Sequence, residues 1–279
     1  MKGKVMIVTG ASAGMGRQIS LQLARSGATV VLVCRDAGRG GEALNYVRSA
    51  SGNDAVELML ADLSSQRSIR ALAHDFIRTH DRLDVLVNNA GVTLPRRTET
   101  VDGIETVFAT NHLAPFLLTN LLLPLLKASA PSRIVTASSA AQAMARLDLD
   151  DLQRRNDYKE IDAYNQTKLL NLLFTYELAR RLEGTGVTAN AVEPGFVKTS
   201  MKVPFPYSLF SFMRQPVEKG AWISVHAATS PALDGVSGAF LSNRGVQIRS
   251  SKASYDEDAQ RRLWQISADL TPGGSSSPQ

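Results

Sequence analysis

The feature that most constrains this chain is an alternation of short apolar runs with longer amphipathic segments. Runs at 5–8, 30–33, 56–60, 85–87 and 134–136 are rich in Val, Ile and Leu and end in Gly, Asp, Asn or Ser; 187–192 and 239–241 are weaker repeats of the pattern. Such runs suit strands buried on both faces of a parallel sheet. Between them, 16–26, 65–80, 102–127, 162–183 and 216–229 carry apolar residues at helical spacing, with Ile19, Leu23 and Ala24 on one face of the first. Parallel strands need crossover connections, and right-handed crossovers place helices on both faces of the sheet. The pattern therefore predicts an α/β fold: a doubly wound parallel sheet of about seven strands.

With 279 residues, 44% apolar and 20% charged, the chain has the makeup of an ordinary globular protein, not a disordered, collagenous or coiled-coil one. No repeat or mid-chain linker appears, so 1–270 reads as one domain. Residues 271–279, rich in Pro, Gly and Ser, read as a disordered tail. The net charge of +5 is scattered, and Arg261 and Arg262 come two residues after the acidic run 256–258. A nucleic-acid face would be clustered, so no nucleic-acid partner is expected. The lone Cys34 allows no internal disulfide and suits a reducing compartment. The opening residues lack the apolar run of a signal peptide. The stretch 113–126 is interrupted by Pro115, Thr119, Asn120 and Pro124, too short and polar for a membrane span. A cytoplasmic protein without a membrane anchor is expected. His74, His80 and His226 read as surface or packing residues, and no pair has metal-ligand spacing, so no metal is expected.

The first strand runs into Gly10, Ser12, Gly14, Met15 and Gly16, with a helix following at once. Glycines there permit a tight turn and let backbone N–H groups approach a pyrophosphate at the helix N-terminus, the arrangement of a Rossmann-type dinucleotide site. The alternative is a glycine-rich turn without a ligand. The second strand ends in Cys34, Arg35 and Asp36. A carboxylate at that end suits the free ribose hydroxyl of NAD(H); an arginine suits the 2′-phosphate of NADP(H). Arg35 favours NADP(H), unless it is a surface residue and Asp36 the displaced acid. After the third strand, Asp62 and Leu63 are placed to meet adenine, though Asp62 could equally cap the next helix. After the fourth, Asn88 and Asn89 precede Ala90 and Gly91; buried amides need partners, so the pair either ties the sheet together or lines the cleft.

Tyr164 and Lys168 stand four apart in a helical segment and share one face. A lysine ammonium favours the phenolate and brings the tyrosine towards proton transfer near neutral pH. The fifth strand leads into Ser138 and Ser139, at the carboxyl edge of the sheet where ligands of such folds bind.

Taken together, the T-G-x-x-x-G-x-G turn, N-N-A-G, the paired serines, Y-x-x-x-K and Pro194-Gly195 resemble the short-chain dehydrogenase/reductase family, over residues 4–241. The finer pattern (C-R-D after the second strand, R-I-V-x-x-S-S, L-x-G-T-G-V-T) is similar to its retinol dehydrogenase-like and carbonyl reductase-like branches. The resemblance implies a catalytic set of Asn111, Ser139, Tyr164 and Lys168. Ser139 would bond the substrate oxygen, Tyr164 act as acid or base, Lys168 hold the nicotinamide ribose, and Asn111 hold a water in the proton relay. It also implies cofactor contacts from Pro194, Gly195, Val197 and Thr199. Two departures stand out: Ala13 occupies a position often basic in NADP(H)-preferring members, and Ser139 and Tyr164 lie unusually far apart. The extra residues, 144–162, are expected to hold a short helix at 149–154 and to favour a monomer or homodimer over the common tetramer.

Residues 200–215 include Met201, Phe205, Tyr207, Phe210, Phe212 and Met213 and read as an apolar lid. The expected function is NADP(H)-dependent reduction of, or alcohol oxidation to, a carbonyl on a bulky lipophilic or aromatic small molecule. A catalytically silent dinucleotide-binding sensor or scaffold, and an epimerase working through a transient ketone, are the alternatives.

Overall fold

The computed structural model describes residues 1–197 and 214–273. The seven strands are β1 (Val5–Thr9), β2 (Thr29–Cys34), β3 (Val56–Leu60), β4 (Val85–Asn88), β5 (Ser132–Ala137), β6 (Val187–Val192) and β7 (Phe240–Leu241). They form one sheet in the order β3-β2-β1-β4-β5-β6-β7, with every neighbouring pair parallel. Strand order reverses between β1 and β4, which opens a crevice at the carboxyl edge there.

The period of two along each strand sorts the core into two layers. Met6, Val8, Val30 and Leu32 face α1 (Gly14–Arg25), α2 (Ala37–Ser51) and α7 (Val217–Thr229), meeting Ile19, Leu23, Val47 and Ile223. Ile7, Val31, Val33 and Ile134 face α3 (Gln66–Thr79), α5 (Ala114–Ala128) and α6 (Glu160–Arg181), meeting Leu72, Phe76, Phe116 and Phe174. A helical stretch covering Thr106–Ala128 is long and apolar enough to cross a membrane, but 83% of its apolar window is buried inside this fold. It is a core element.

Several expectations need correction. The 102–127 segment begins later, with the short α4 (Thr106–Phe108); Asp102 instead accepts a hydrogen bond from Gln66 N. Residues 149–154 form no helix. Asp148 Oδ1 accepts from the N–H groups of Asp150 and Asp151, and the Asp151 carboxylate accepts from those of Arg155 and Asn156. These local side-chain bonds compete with the helical ladder. α2 and α8 (Glu257–Leu270) were not anticipated. Gly38, Gly40 and Gly41 blur the pattern of α2, and the acidic start of α8 reads as a charge cluster although Asp256 caps it on Ala259 N. The first tail residues are ordered: Thr271 is buried with its hydroxyl on Ser267 O, and Arg70 donates to Pro272 O.

α8 lays Ala259, Leu263, Ile266 and Leu270 on a third core cluster with Leu113, Leu169, Leu173 and Leu152. Its spacing of four, three and four is that of one helix face. Together with 145–152, α8 covers the outer side of the α5 and α6 layer.

Candidate active site

Glycine packing builds the first part of the site. Gly10 has φ +68, and a Cβ there would lie 2.9 Å from Ala90 Cα; on Gly16 it would lie 2.2 Å from Gly10 O. No side chain fits where the turn, α1 and the β4 loop converge. Thr9 Oγ1 accepts from Asn89 N and Ala90 N, each at 3.0 Å, and Asn89 Nδ2 donates to Thr9 O at 2.9 Å. Asn89 thus fastens the turn, while Asn88 ties β4 to α5 through Thr119 Oγ1. Ala13, the residue before α1, offers no side-chain cap, and the first turn of the helix has no acidic residue. Its first N–H groups, from Gly14, Met15 and Gly16, are therefore left for an anion. A backbone cradle that a Cβ would fill, beside an uncapped helix start, fits the pyrophosphate of a dinucleotide.

The ends of β2 and β3 frame the outer side of the cradle. Arg35 and Asp36 are exposed, but Asp36 Oδ1 accepts from Arg39 N and caps α2. Its carboxylate is committed to its own helix. Arg39, which sequence reasoning missed, stands close enough to Cys34 to favour its thiolate; burial wins and pushes the thiol up to about 11. The missed signal was spacing: Arg35 and Arg39 bracket the start of α2. Asp62 Oδ1 accepts from both Ser64 N and Ser64 Oγ, and Ser65 takes the capping role at α3. Leu63 lies with Ala90 and Pro115 around a small cavity beneath the crevice.

The remaining residues gather on the other side of β4. Before α5 the helix widens into a π turn, Ala109–Leu113, where Ala114 N bonds Ala109 O. Pro115, four residues beyond Asn111, has no N–H for the Asn111 carbonyl, so the regular ladder fails there. The Asn111 amide is fully engaged: Oδ1 accepts from Val92 N at 2.7 Å, and Nδ2 donates to Val92 O and Thr167 Oγ1. It clamps the loop after β4. A Cβ on Gly91 would lie 3.5 Å from Asn111 Oδ1 and 3.8 Å from Lys168 Nζ, so both groups flank that glycine.

Lys168 is 4% exposed, and its ammonium donates to Ala137 O at 3.2 Å. Burial holds its pKa down to about 8. Its Nζ lies 5.3 Å from the centre of the half-buried Tyr164 ring. The two serines divide their work. Ser138 is buried and donates to Lys168 O, whereas Ser139 is half-buried and its Oγ accepts a long 3.2 Å bond from Ala141 N. Glu193, half-buried at the end of β6 with its carboxyl raised by burial, was also not anticipated.

Pro194, Gly195 and Val197 follow β6. Gln215 Nε2 donates to Pro194 O, and Gly195 has φ +78 with Gln215 and Asn243 against it. Val197 is buried against Gly220 on α7, where a Cβ would also meet Met15. This segment and the start of α1 are thereby joined. Thr199 and residues 200–213 of the expected lid lie outside the described residues. Among the described residues no cluster of His, Cys, Asp and Glu could hold a metal ion.

The sequence profile of the short chain dehydrogenases matches residues 4–206. Retinol dehydrogenase 14 of Mus musculus is 42% identical over 96% of this chain and 85% of its own. Retinol dehydrogenase 11 of Homo sapiens is also 42% identical, over 97% and 86%. Among solved structures, an uncharacterised protein from Mycobacterium paratuberculosis superposes with TM-score 0.80 at 33% identity, covering 97% of this chain and 94% of that one. An NADP active-site complex of RhlG from Pseudomonas aeruginosa superposes with TM-score 0.71 at 28% identity, over 87% and 95%.

Proposed function

Because the chain belongs to the short-chain dehydrogenase/reductase family, in its retinol dehydrogenase-like part, we propose that it interconverts a carbonyl and an alcohol on a bulky lipophilic or aromatic small molecule, using NADP(H). The observation that carries this reading is that Lys168 lies beside both Tyr164 and the Asn111–Gly91 loop, next to the switch point with its uncapped, glycine-lined helix start. When bound, the dinucleotide supplies the hydride or accepts it.

The chain's own groups supply orientation and proton transfer. The Tyr164 hydroxyl delivers a proton to the substrate oxygen in reduction and takes one in oxidation. The buried Lys168 ammonium, largely protonated at neutral pH, favours the phenolate and so eases both directions. Ser139 Oγ, which accepts from Ala141 N, keeps its hydroxyl proton to donate to the oxygen as negative charge develops on it. Asn111 fixes the loop that closes the site from the β4 side. Pro194, Gly195, Val197 and Thr199 are assigned to the nicotinamide side of the cofactor, and Asp62 and Leu63 to the adenine side.

The NADP(H) preference rests on Arg35 and Arg39 flanking the end of β2 and on Asp36 turning its carboxylate onto α2. RhlG, a structural relative, was solved with NADP. The similarity to retinol dehydrogenases points to lipophilic aldehydes of the retinal type as the first substrates to try. A monomer is the proposed form, since α8 and 145–152 already cover the α5 and α6 layer; a cytoplasmic location is proposed from the lone Cys34, which suits a reducing compartment.

Calorimetric titration with NADPH and with NADH tests the cofactor reading. Losing a charge-assisted bond costs about 1.5–3 kcal/mol, so Arg35→Ala should weaken NADPH binding roughly 10–150-fold and leave NADH nearly unchanged. Equal affinity for the two cofactors would refute the preference. Reduction of a lipophilic aldehyde that survives in Tyr164→Phe would refute the chemistry, and tight dinucleotide binding without turnover of any carbonyl or alcohol would favour the silent sensor or scaffold.

A further inference from the structure

Ala137 O, the acceptor of Lys168, lies one residue past the last β4–β5 pair, Asn88↔Thr136. The next N–H on the β4 side, that of Ala90, is turned to Thr9 Oγ1. The Ala137 carbonyl is thereby released from the sheet ladder on that side. Two side chains of α6 take it up: Lys168 Nζ and Asn171 Nδ2, both at 3.2 Å. They are three residues apart and share a helix face.

Asn171 is 2% exposed and does not stand alone. Its Oδ1 lies by the ring of His112, close enough for the amide to act on the imidazole, though neither this Oδ1 nor His112 Nδ1 completes a well-formed bond. His112 is fully buried on the π turn, stacked on Phe108 at 5.6 Å and meeting the edge of Phe174 at 6.2 Å. Its Nε2 pairs with Ser267 Oγ of α8 at 2.9 Å. Polar groups thus line up from Ser267 of the C-terminal helix to His112 on the π turn, with Asn171 beside the imidazole and bonded to the carbonyl that anchors the lysine.

We propose that Asn171, backed by His112 and Ser267, is a positioning residue that sets how far the Lys168 ammonium reaches towards Tyr164. A carbonyl oxygen has two lone pairs. With Asn171 on one, Lys168 holds only a share of the acceptor, and its ammonium remains available to the phenol. Without Asn171, the buried ammonium settles on Ala137 O and stabilises the Tyr164 phenolate less. The inference rests on the proposed roles of Tyr164 and Lys168. Among the described residues, a further titratable group near Ala137 is Glu193, which follows Val192, the ladder partner of Ala137.

The test reads Tyr164 directly and needs no turnover. Tyrosine carrying carbon-13 at the ring carbon that bears the hydroxyl is incorporated, and the Tyr164 resonance is identified by its loss in Tyr164→Phe. Its pH titration is then followed in the wild type, Asn171→Leu, His112→Phe and the double variant. Asn171→Leu should raise the Tyr164 pKa by about half a unit or more, threefold in the ionisation constant. His112→Phe, which keeps the ring stack, should shift it less and in the same direction, and the double variant no further than Asn171→Leu. An unchanged titration in Asn171→Leu, whatever its melting temperature, would overturn the proposal and leave Asn171 a packing residue. If the wild type turns over no carbonyl substrate, the proposed function fails, while the titration still decides this inference. In an active enzyme the limb of the kcat/KM profile that reports Tyr164 should move with the resonance.

Discussion

Gly16→Ala is the most direct test of the cofactor cradle. The added Cβ would sit 2.2 Å from Gly10 O and 2.7 Å from Asn89 Nδ2. Carbon packs at roughly 3.5 Å from its neighbours, so the helix and the turn must separate by about 1 Å. Neither neighbour can simply swing away. Gly10 O is backbone, and the Asn89 amide is held on Thr9 O at 2.9 Å. Overpacking costs about 1–3 kcal/mol, and the upper end applies because the shift also loosens the bonds that converge on Thr9. At about 2–4 °C per kcal/mol for a chain of this size, the melting temperature should fall by roughly 5–10 °C. Cofactor binding should suffer more than stability, since the displaced groups are the anion-binding ones; a 1 Å misplacement can cost about 100-fold. Gly41→Ala is the control. That glycine lies within α2, has no atom within 4 Å of an added Cβ and no positive φ, so it should gain about 0.5–1 kcal/mol. Scanning calorimetry and NADPH titration of both variants provide the comparison. A Gly16→Ala protein with wild-type melting and wild-type affinity would refute the close approach of α1 to the turn.

Burial of Lys168 makes a pH prediction. Its folded pKa of about 8 lies below the unfolded 10.5, so the unfolded chain binds more protons between the two values and stability should rise with pH across that window. Lys168→Met should remove that rise, by up to about 3 kcal/mol in chemical denaturation; an identical slope would show that the ammonium is not buried. Asp84 gives a slope of the same sign, but in the acid range. Burial alone would raise its carboxyl, but hydrogen bonds from Arg82, Lys4 and Val5 N outweigh that and hold it low. Its stabilisation is present at neutral pH and lost as pH falls through the depressed pKa, so Asp84→Asn should flatten the acid limb of the stability curve. At α8, Leu263 is 1% exposed, and Leu263→Ala should cost about 2–5 kcal/mol by opening a cavity. Sedimentation velocity should find the wild type monomeric; a stable dimer would show that α8 and 145–152 do not occlude the helix face.

What the sequence determined by itself is local and periodic. Continuous apolar runs located all seven strands within about two residues of their observed ends, because a strand buried on both faces must be apolar along its length. Gly10 and Gly16 marked the cradle because no other residue fits there. Tyr164 and Lys168 share a helix face by spacing alone. Pro115 already foretells the break at Asn111, since it lacks the N–H that a regular helix would use.

The tertiary structure decided what depends on partners distant along the chain. Ser138 and Ser139 are indistinguishable as sequence; the packing of β5 on α6 commits the first to Lys168 O and leaves the second available. Asp36 could have faced a ribose, but capping α2 offers a nearer donor. Asn111 stands in a helical run, and only folding gives its amide the partners Val92 and Thr167. The carbonyl of Ala137 has no signature in sequence at all. It became the shared anchor of Lys168 and Asn171 only because Thr9 draws the Ala90 N–H away from the ladder. Hydrogen-bond partners are chosen by competition among the groups that folding brings within 3 Å, and the order of residues does not state that competition.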